Sequence, residues 1–174
     1  METKYDSLIA VNADKYNVPF TWIKAVIATE SSFNPNAYRA EKQINDASRG
    51  LMQLLLQTAR NLGYTGVPDG LFDPMVNIGL GAKLLAQLQA RYGSDFSAVY
   101  AVYNSGQPDP EYDAEVAAHV AAANRNLDAV LAELPGSEIT VTAEPEEGGE
   151  AGGWSIGGIL LAAAVGAAIY YFMK

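Results

Sequence analysis

Between Met1 and Leu134 apolar side chains recur every three or four positions in one segment after another, a period that commits most of the chain to helices packed by one face. The clearest stripe lies in Pro19–Ser32, where Phe20, Ile23, Val26 and Ile27 share a face whose next position is Glu30. A carboxylate placed there loses hydration, so its pKa rises. The negative end of the helix dipole acts the same way, because Asn34-Pro35 stops the helix within about a turn. Such a group is either a structural acid paired with a buried base or a general acid that holds its proton near neutral pH.

The neighbouring segments complete a mainly α reading of residues 1–134. Leu8, Ile9, Ala13 and Tyr16 predict a first helix ending near Asn17, and Pro19 suits the first turn of the second. Residues 34–49 read as a loop of Pro, Asn, Asp and Ser with scattered charge, and Leu51–Leu62 as a helix stopped by Gly63. Gly63–Leu71 reads as a second loop. Asp73 can cap a helix that carries Pro74 in its first turn, runs to Gly93 and turns Ile78, Ala82, Leu85 and Leu88 inward. Gly79 and Gly81 weaken that helix, which implies another helix packed close against it. Ser97–Asn104 reads as a short buried helix. A last helix, Asp113–Leu134, has Val116, Val120, Ala123, Leu127, Val130 and Leu134 on one stripe. There is no internal repeat, and few segments qualify as strands.

The chain changes character after residue 134. Residues 135–153 form an acidic, Gly-rich linker that holds Glu138, Glu144, Glu146, Glu147 and Glu150 and no base. Trp154–Met173 then runs twenty residues without a charge, enough to cross a hydrocarbon core of about 30 Å as one helix, with Trp154 and Tyr170-Tyr171 where interfacial aromatics sit. The expected architecture is therefore a helical domain at 1–134, a linker at 135–153 and a C-terminal transmembrane helix at 154–173. Gly158, Ala162 and Gly166 put small side chains on one face of that helix, so self-association in the membrane is a further expectation. Lys174 biases its own end toward the cytoplasm and the domain toward the outside. Met1–Asp6 is polar and mixed in charge, without the apolar core of a secretory signal.

Composition narrows the chemistry. A formal charge of −9 argues against a nucleic-acid partner, which would require clustered Lys and Arg. With no cysteine and a single histidine, His119, neither a metal site nor Ser-His-Asp chemistry is expected, and no cofactor is implied. His119 itself reads as a surface or groove-edge residue.

Glu30-Ser31-Ser32-Phe33-Asn34-Pro35 is followed by Gly50-Leu51-Met52-Gln53-Leu54, Thr58-Ala59, Asp73-Pro74, Asn77-Ile78, Gly81 and Ala101-Val102-Tyr103-Asn104-Ser105-Gly106. Any one of these is a weak signal. In this order and spacing they resemble the soluble lytic transglycosylase family (SLT-type, goose-lysozyme-like) of peptidoglycan-cleaving domains, over about residues 15–131. The resemblance implies a lysozyme-like helical domain that cleaves the MurNAc-GlcNAc β-1,4 bond and leaves 1,6-anhydro-MurNAc, with peptidoglycan as its partner. It implies that Glu30 is the single catalytic acid and base, and that Tyr103 brings its hydroxyl to Glu30. Gly50, Met52 and Gln53 would then line the sugar groove: glycine for close approach, methionine as an adaptable wall, the glutamine amide for N-acetyl or hydroxyl groups. Asn104 would fix the loop or a sugar. Glu41 and Asp46 read as solvated loop acids and Asp73 as a helix cap, so no second carboxylate is expected beside Glu30.

Two departures matter. Several extra residues separate Glu30 from Gly50, and Arg39 stands where the family carries a serine, a place Ser48 or another loop hydroxyl would fill. The family's Pro-Gly is also missing, since Gly106 is followed by Gln107-Pro108-Asp109-Pro110. A wall-cutting domain with a membrane tail suits a bacteriophage virion protein that opens the wall for genome entry, or a bacterial inner-membrane assembly. A hydrolysing lysozyme on the same scaffold and a non-catalytic glycan-binding membrane protein are the rival readings.

Overall fold

The computed structural model describes residues 2–107 and 114–134. Six α-helices dominate: α1 (Asp6–Tyr16), α2 (Phe20–Ser31), α3 (Leu56–Asn61), α4 (Pro74–Tyr92), α5 (Phe96–Ser105) and α6 (Ala114–Ala132). A small antiparallel sheet of β1 (Tyr38–Glu41), β2 (Asp46–Arg49) and β3 (Leu54–Leu55), in that order, lies between α2 and α3, and a 3-10 helix (Pro68–Phe72) precedes α4. The described residues up to Val130 belong to one compact unit.

The helix ends follow local chemistry. Asn17 closes α1 in the left-handed conformation that asparagine tolerates. The Asp73 carboxylate accepts the Met75 backbone N–H at 2.8 Å and starts α4, with Pro74 in its first turn. Asp95 does the same for α5 through Ser97 N–H. The core gathers Ile9 of α1, Ile23, Val26 and Ile27 of α2, Ile78 and Leu85 of α4, and Val99 and Tyr100 of α5. Within α4, Gly81 leaves room for the Met52 side chain, which a Cβ there would strike, and Gly79 faces Asn12 of α1.

Three sequence expectations need correction. Residues 34–49 are not simply loop, since β1 and β2 pair there with Tyr38 opposite Arg49 and Arg39 opposite Ser48. The predicted helix at Leu51–Leu62 is only Leu56–Asn61, because Leu51–Gln53 form a turn and Leu54–Leu55 pair with β2. The second loop contains the 3-10 helix. The linker at 135–153, the span Trp154–Met173 and the small-residue face of Gly158, Ala162 and Gly166 lie outside the described residues. Among the described residues no helix is long and apolar enough to cross a membrane.

Candidate active site

The second helix ends abruptly just after the acid. Ser32 and Phe33, consecutive and neither a glycine, take left-handed backbone conformations with φ of 50° and 63°. Such geometry costs of order 1–3 kcal/mol per residue and persists only where surrounding contacts enforce it. One enforcing contact is visible: the Ser31 hydroxyl donates to the Leu51 carbonyl at 2.7 Å, tying the end of α2 to the turn that follows the sheet.

Glu30 is half-buried in the last turn of α2. Its Oε1 accepts the Tyr100 hydroxyl at 2.6 Å, from a tyrosine of α5 that is fully buried. Burial pushes the Glu30 carboxyl above its ordinary range, and the Tyr100 hydrogen bond and the positive charges of His119 and Arg39 only partly oppose it. Tyr100 is pushed far up in turn by its burial, then by the charge and hydrogen bond of Glu30, so it remains a donor. With Tyr100 donating to Oε1, the acidic proton belongs on Oε2.

Tyr103 spends its hydroxyl hydrogen bond on a backbone carbonyl rather than on Glu30, although the Glu30 charge acts on it. Its ring lies parallel to that of Tyr100, with centroids 6.1 Å apart, and its hydroxyl donates to the Met52 carbonyl at 2.7 Å. The two tyrosines occupy the same face of α5, one helical turn apart, and it is Tyr100 whose hydroxyl meets the acid. Burial and the Glu30 charge hold Tyr103 protonated as well. The stack continues inward through Phe96 to Trp22, which fixes the Tyr100 ring from behind.

The Gly50–Gln53 turn is more structural than expected. Gly50 has φ of 76°, and a Cβ there would collide with the Leu71 carbonyl and the Asn77 amide, so its close approach is to protein. Met52 is fully buried in the core rather than forming a groove wall. The Gln53 amide donates to the carbonyls of Ala37 and Gly50 at 3.1 and 2.9 Å, which uses its NH2 on backbone. Ser48 is buried on β2 and donates to Glu41 Oε1 at 3.1 Å. Asn104 is half-buried near the end of α5.

Asn77, singled out only as part of a motif, joins these pieces. Fully buried on α4, it accepts the Met52 N–H at 2.7 Å and donates to the carbonyls of Arg49 and Leu71 at 2.9 and 2.7 Å. Glu41 and Asp46 are engaged elsewhere, Glu41 with Arg39 and Asp46 with Arg49. Helix α6 reaches the same region, where Asn126 donates to Thr29, the residue before Glu30, at 2.9 Å. His119 Nδ1 lies 2.9 Å from the Glu115 carbonyl. No group of three or more His, Cys, Asp or Glu among the described residues could hold a metal ion.

The model of the Transglycosylase SLT domain matches residues 7–125. The chain belongs to this family. Its SLT domain is 38% identical over 96 residues to a membrane-bound lytic murein transglycosylase C of Yersinia enterocolitica, a match covering 51% of this chain and 25% of that protein. With the protein of the same description from Salmonella arizonae it shares 35% identity over 117 residues, covering 59% of this chain and 31% of the relative. The chain thus spans about a quarter to a third of the length of these curated relatives. The SLT fold is also that of an inactive mutant of the lytic transglycosylase Slt from Pseudomonas aeruginosa, with a TM-score of 0.54 at 21% identity over 72% of this chain and 22% of the other. The 70 kDa soluble lytic transglycosylase of Escherichia coli gives the same TM-score at 23% identity, covering 72% and 20%.

Tyr100 is the site residue that the sequence reading missed. Its signal was its place one turn before Tyr103 on the inward stripe of α5, which marks both tyrosines without ranking them.

Proposed function

We propose that the chain is a peptidoglycan lytic transglycosylase that cleaves the MurNAc-GlcNAc β-1,4 bond using Glu30 alone as acid and base. The supporting observation is a half-buried carboxyl with a raised pKa, whose neighbouring charges, His119 and Arg39, are both basic. Glu30 Oε2 gives its proton to the glycosidic oxygen as the bond to the anomeric carbon breaks and positive charge builds on the muramyl ring. The carboxylate so formed takes the proton of the muramyl C6 hydroxyl, whose oxygen bonds to the anomeric carbon. The product is a 1,6-anhydro end; no water is consumed, and Glu30 is returned protonated. Tyr100 holds Oε1 through both steps. Tyr103 steadies the Met52 carbonyl and the turn beside the site, and Asn104 and Gln53 edge the groove.

Mass spectrometry of peptidoglycan digested with the full chain tests this. Products one water lighter than reducing muramyl ends are expected, and Glu30→Gln should cut their yield by at least about a hundredfold. Reducing ends would instead assign a hydrolysing lysozyme, and undiminished lysis by Glu30→Gln would remove the acid from its role.

The same reading places the enzyme at a membrane. Trp154–Met173, twenty uncharged residues, would anchor it, and the 19-residue linker would hold the SLT domain within tens of Å of the bilayer on the wall side. Both curated relatives are named membrane-bound. A phage virion membrane, with local wall opening during genome entry, suits such a tethered cutter. Its recovery from purified virions is the expected result; recovery only from membranes of uninfected cells would favour a bacterial envelope protein.

A further inference from the structure

The hairpin of β1 and β2 carries a polar cluster that the reaction above does not use. Arg39 lies directly opposite Ser48, and Glu41 opposite Asp46, so Arg39, Glu41 and Ser48 share one face. Glu41 Oε1 accepts both the Ser48 hydroxyl at 3.1 Å and the Arg39 Nε at 2.7 Å. Ser48 is buried and thereby fixes the carboxylate, which in turn fixes one edge of the guanidinium. The other edge is open: the Arg39 side chain is 62% exposed, and its two terminal nitrogens have no partner among the described residues. A guanidinium anchored through Nε with its Nη edge facing solvent is arranged for bidentate capture of a carboxylate.

The cluster is tied to the surroundings of Glu30. Ala37, two residues before Arg39, accepts the Gln53 amide and the Gly50 N–H, so the base of the hairpin is built on the turn beside Glu30. The Arg39 charge also reaches Glu30. A glycan of N-acetylated sugars is uncharged except on muramic acid, whose lactyl group and attached peptide carry carboxylates.

We propose that Arg39 is a specificity-determining residue that pairs with a carboxylate on the lactyl-peptide substituent of the muramyl sugar, so that the hairpin selects anionic peptidoglycan over neutral N-acetylglucosamine polymers. This rests on the reading of Glu30 and its groove given above. The test uses the full chain and Arg39→Gln and Arg39→Lys variants, with three glycans of equal length. One is peptide-free and bears lactyl carboxylates, one bears peptides, and one is a neutral N-acetylglucosamine oligomer. Arg39→Gln should raise KM about tenfold or more on a carboxylate-bearing glycan with little change in kcat, and Arg39→Lys should recover part of the loss. The muramyl glycan that suffers identifies the carboxylate. Calorimetric binding of the same glycans to Glu30→Gln, with and without Arg39→Gln, reads the discrimination without turnover. An inactive wild type would then sink the transglycosylase reading while leaving Arg39 measurable. Equal losses on neutral and anionic glycans, or none on either, would overturn the role of Arg39.

Discussion

Glu30 is governed by opposed influences of unequal size. Loss of hydration favours the neutral acid, whereas Tyr100, His119 and Arg39 favour the carboxylate and are outweighed. Because the acidic form must be present at the start of turnover, activity should persist above the pH at which an ordinary carboxyl ionises and fall as pH rises through the elevated pKa. Tyr100→Phe removes the largest of the opposing effects while keeping the ring stack with Phe96 and Tyr103. The alkaline limb of kcat/KM should therefore move to higher pH, with a lower plateau because Oε1 loses its partner. A pH-rate series on wild type and variant checks both; a limb that stays put or moves down would contradict the assignment of Tyr100 as the donor to Glu30. Tyr103→Phe should leave the limb nearly unmoved, since that hydroxyl serves Met52.

The elements that bring the site together are short and irregular. Gly50–Gln53 has no repeating hydrogen-bond pattern of its own, so one buried side chain holds it to α4. Removing the Asn77 amide orphans the Met52 N–H and two carbonyls in a dry environment. Asn77→Ala should lower unfolding stability by about 2–4 kcal/mol, measured by urea denaturation, and reduce turnover more than its loss of folded fraction explains. The same irregularity hid these elements. Strands of four residues are too short for alternation to show, and Tyr38–Arg49 carries the Asn, Asp and Ser expected of a loop. Leu51-Met52 followed by Leu54-Leu55-Leu56 has the apolar density of a helix, yet Gly50 and Gln53 both take positive φ and break it. The cap of α4 was legible because a capping carboxylate acts within two residues of its own position; the Asp95 cap of α5 carries the same local signal, which the reading of Ser97–Asn104 did not use.

At the scale of the whole fold, the N-terminal helix is joined to the acid-bearing helix by a buried ion pair. Lys24 Nζ of α2 lies 3.0 Å from Asp6 Oδ2 of α1, with side chains 7% and 15% exposed, and Thr3 donates to the other Asp6 oxygen at 2.5 Å. Cutting one partner leaves the other charged and dry. Asp6→Ala should cost about 3–5 kcal/mol, seen as a lowered urea midpoint, whereas replacing both residues by apolar side chains of similar volume should cost far less. If the single and double variants lost the same stability, the pair would not carry the charge burden assigned to it.

Helical stripes, end caps and the ordered motifs are written within a few residues of one another, and they were enough to give the helical class, the helix carrying Glu30 and the family. Contacts between distant segments carry no such local trace. The Tyr100–Glu30 hydrogen bond joins positions 70 residues apart, and the Tyr103–Met52 bond spans 51. Which tyrosine meets the acid and why Met52 faces the core depend on how α2, α5 and the turn after the hairpin cross. That crossing is set by the packing of all three against the shared core, and periodicity along any one of them records only which face turns inward.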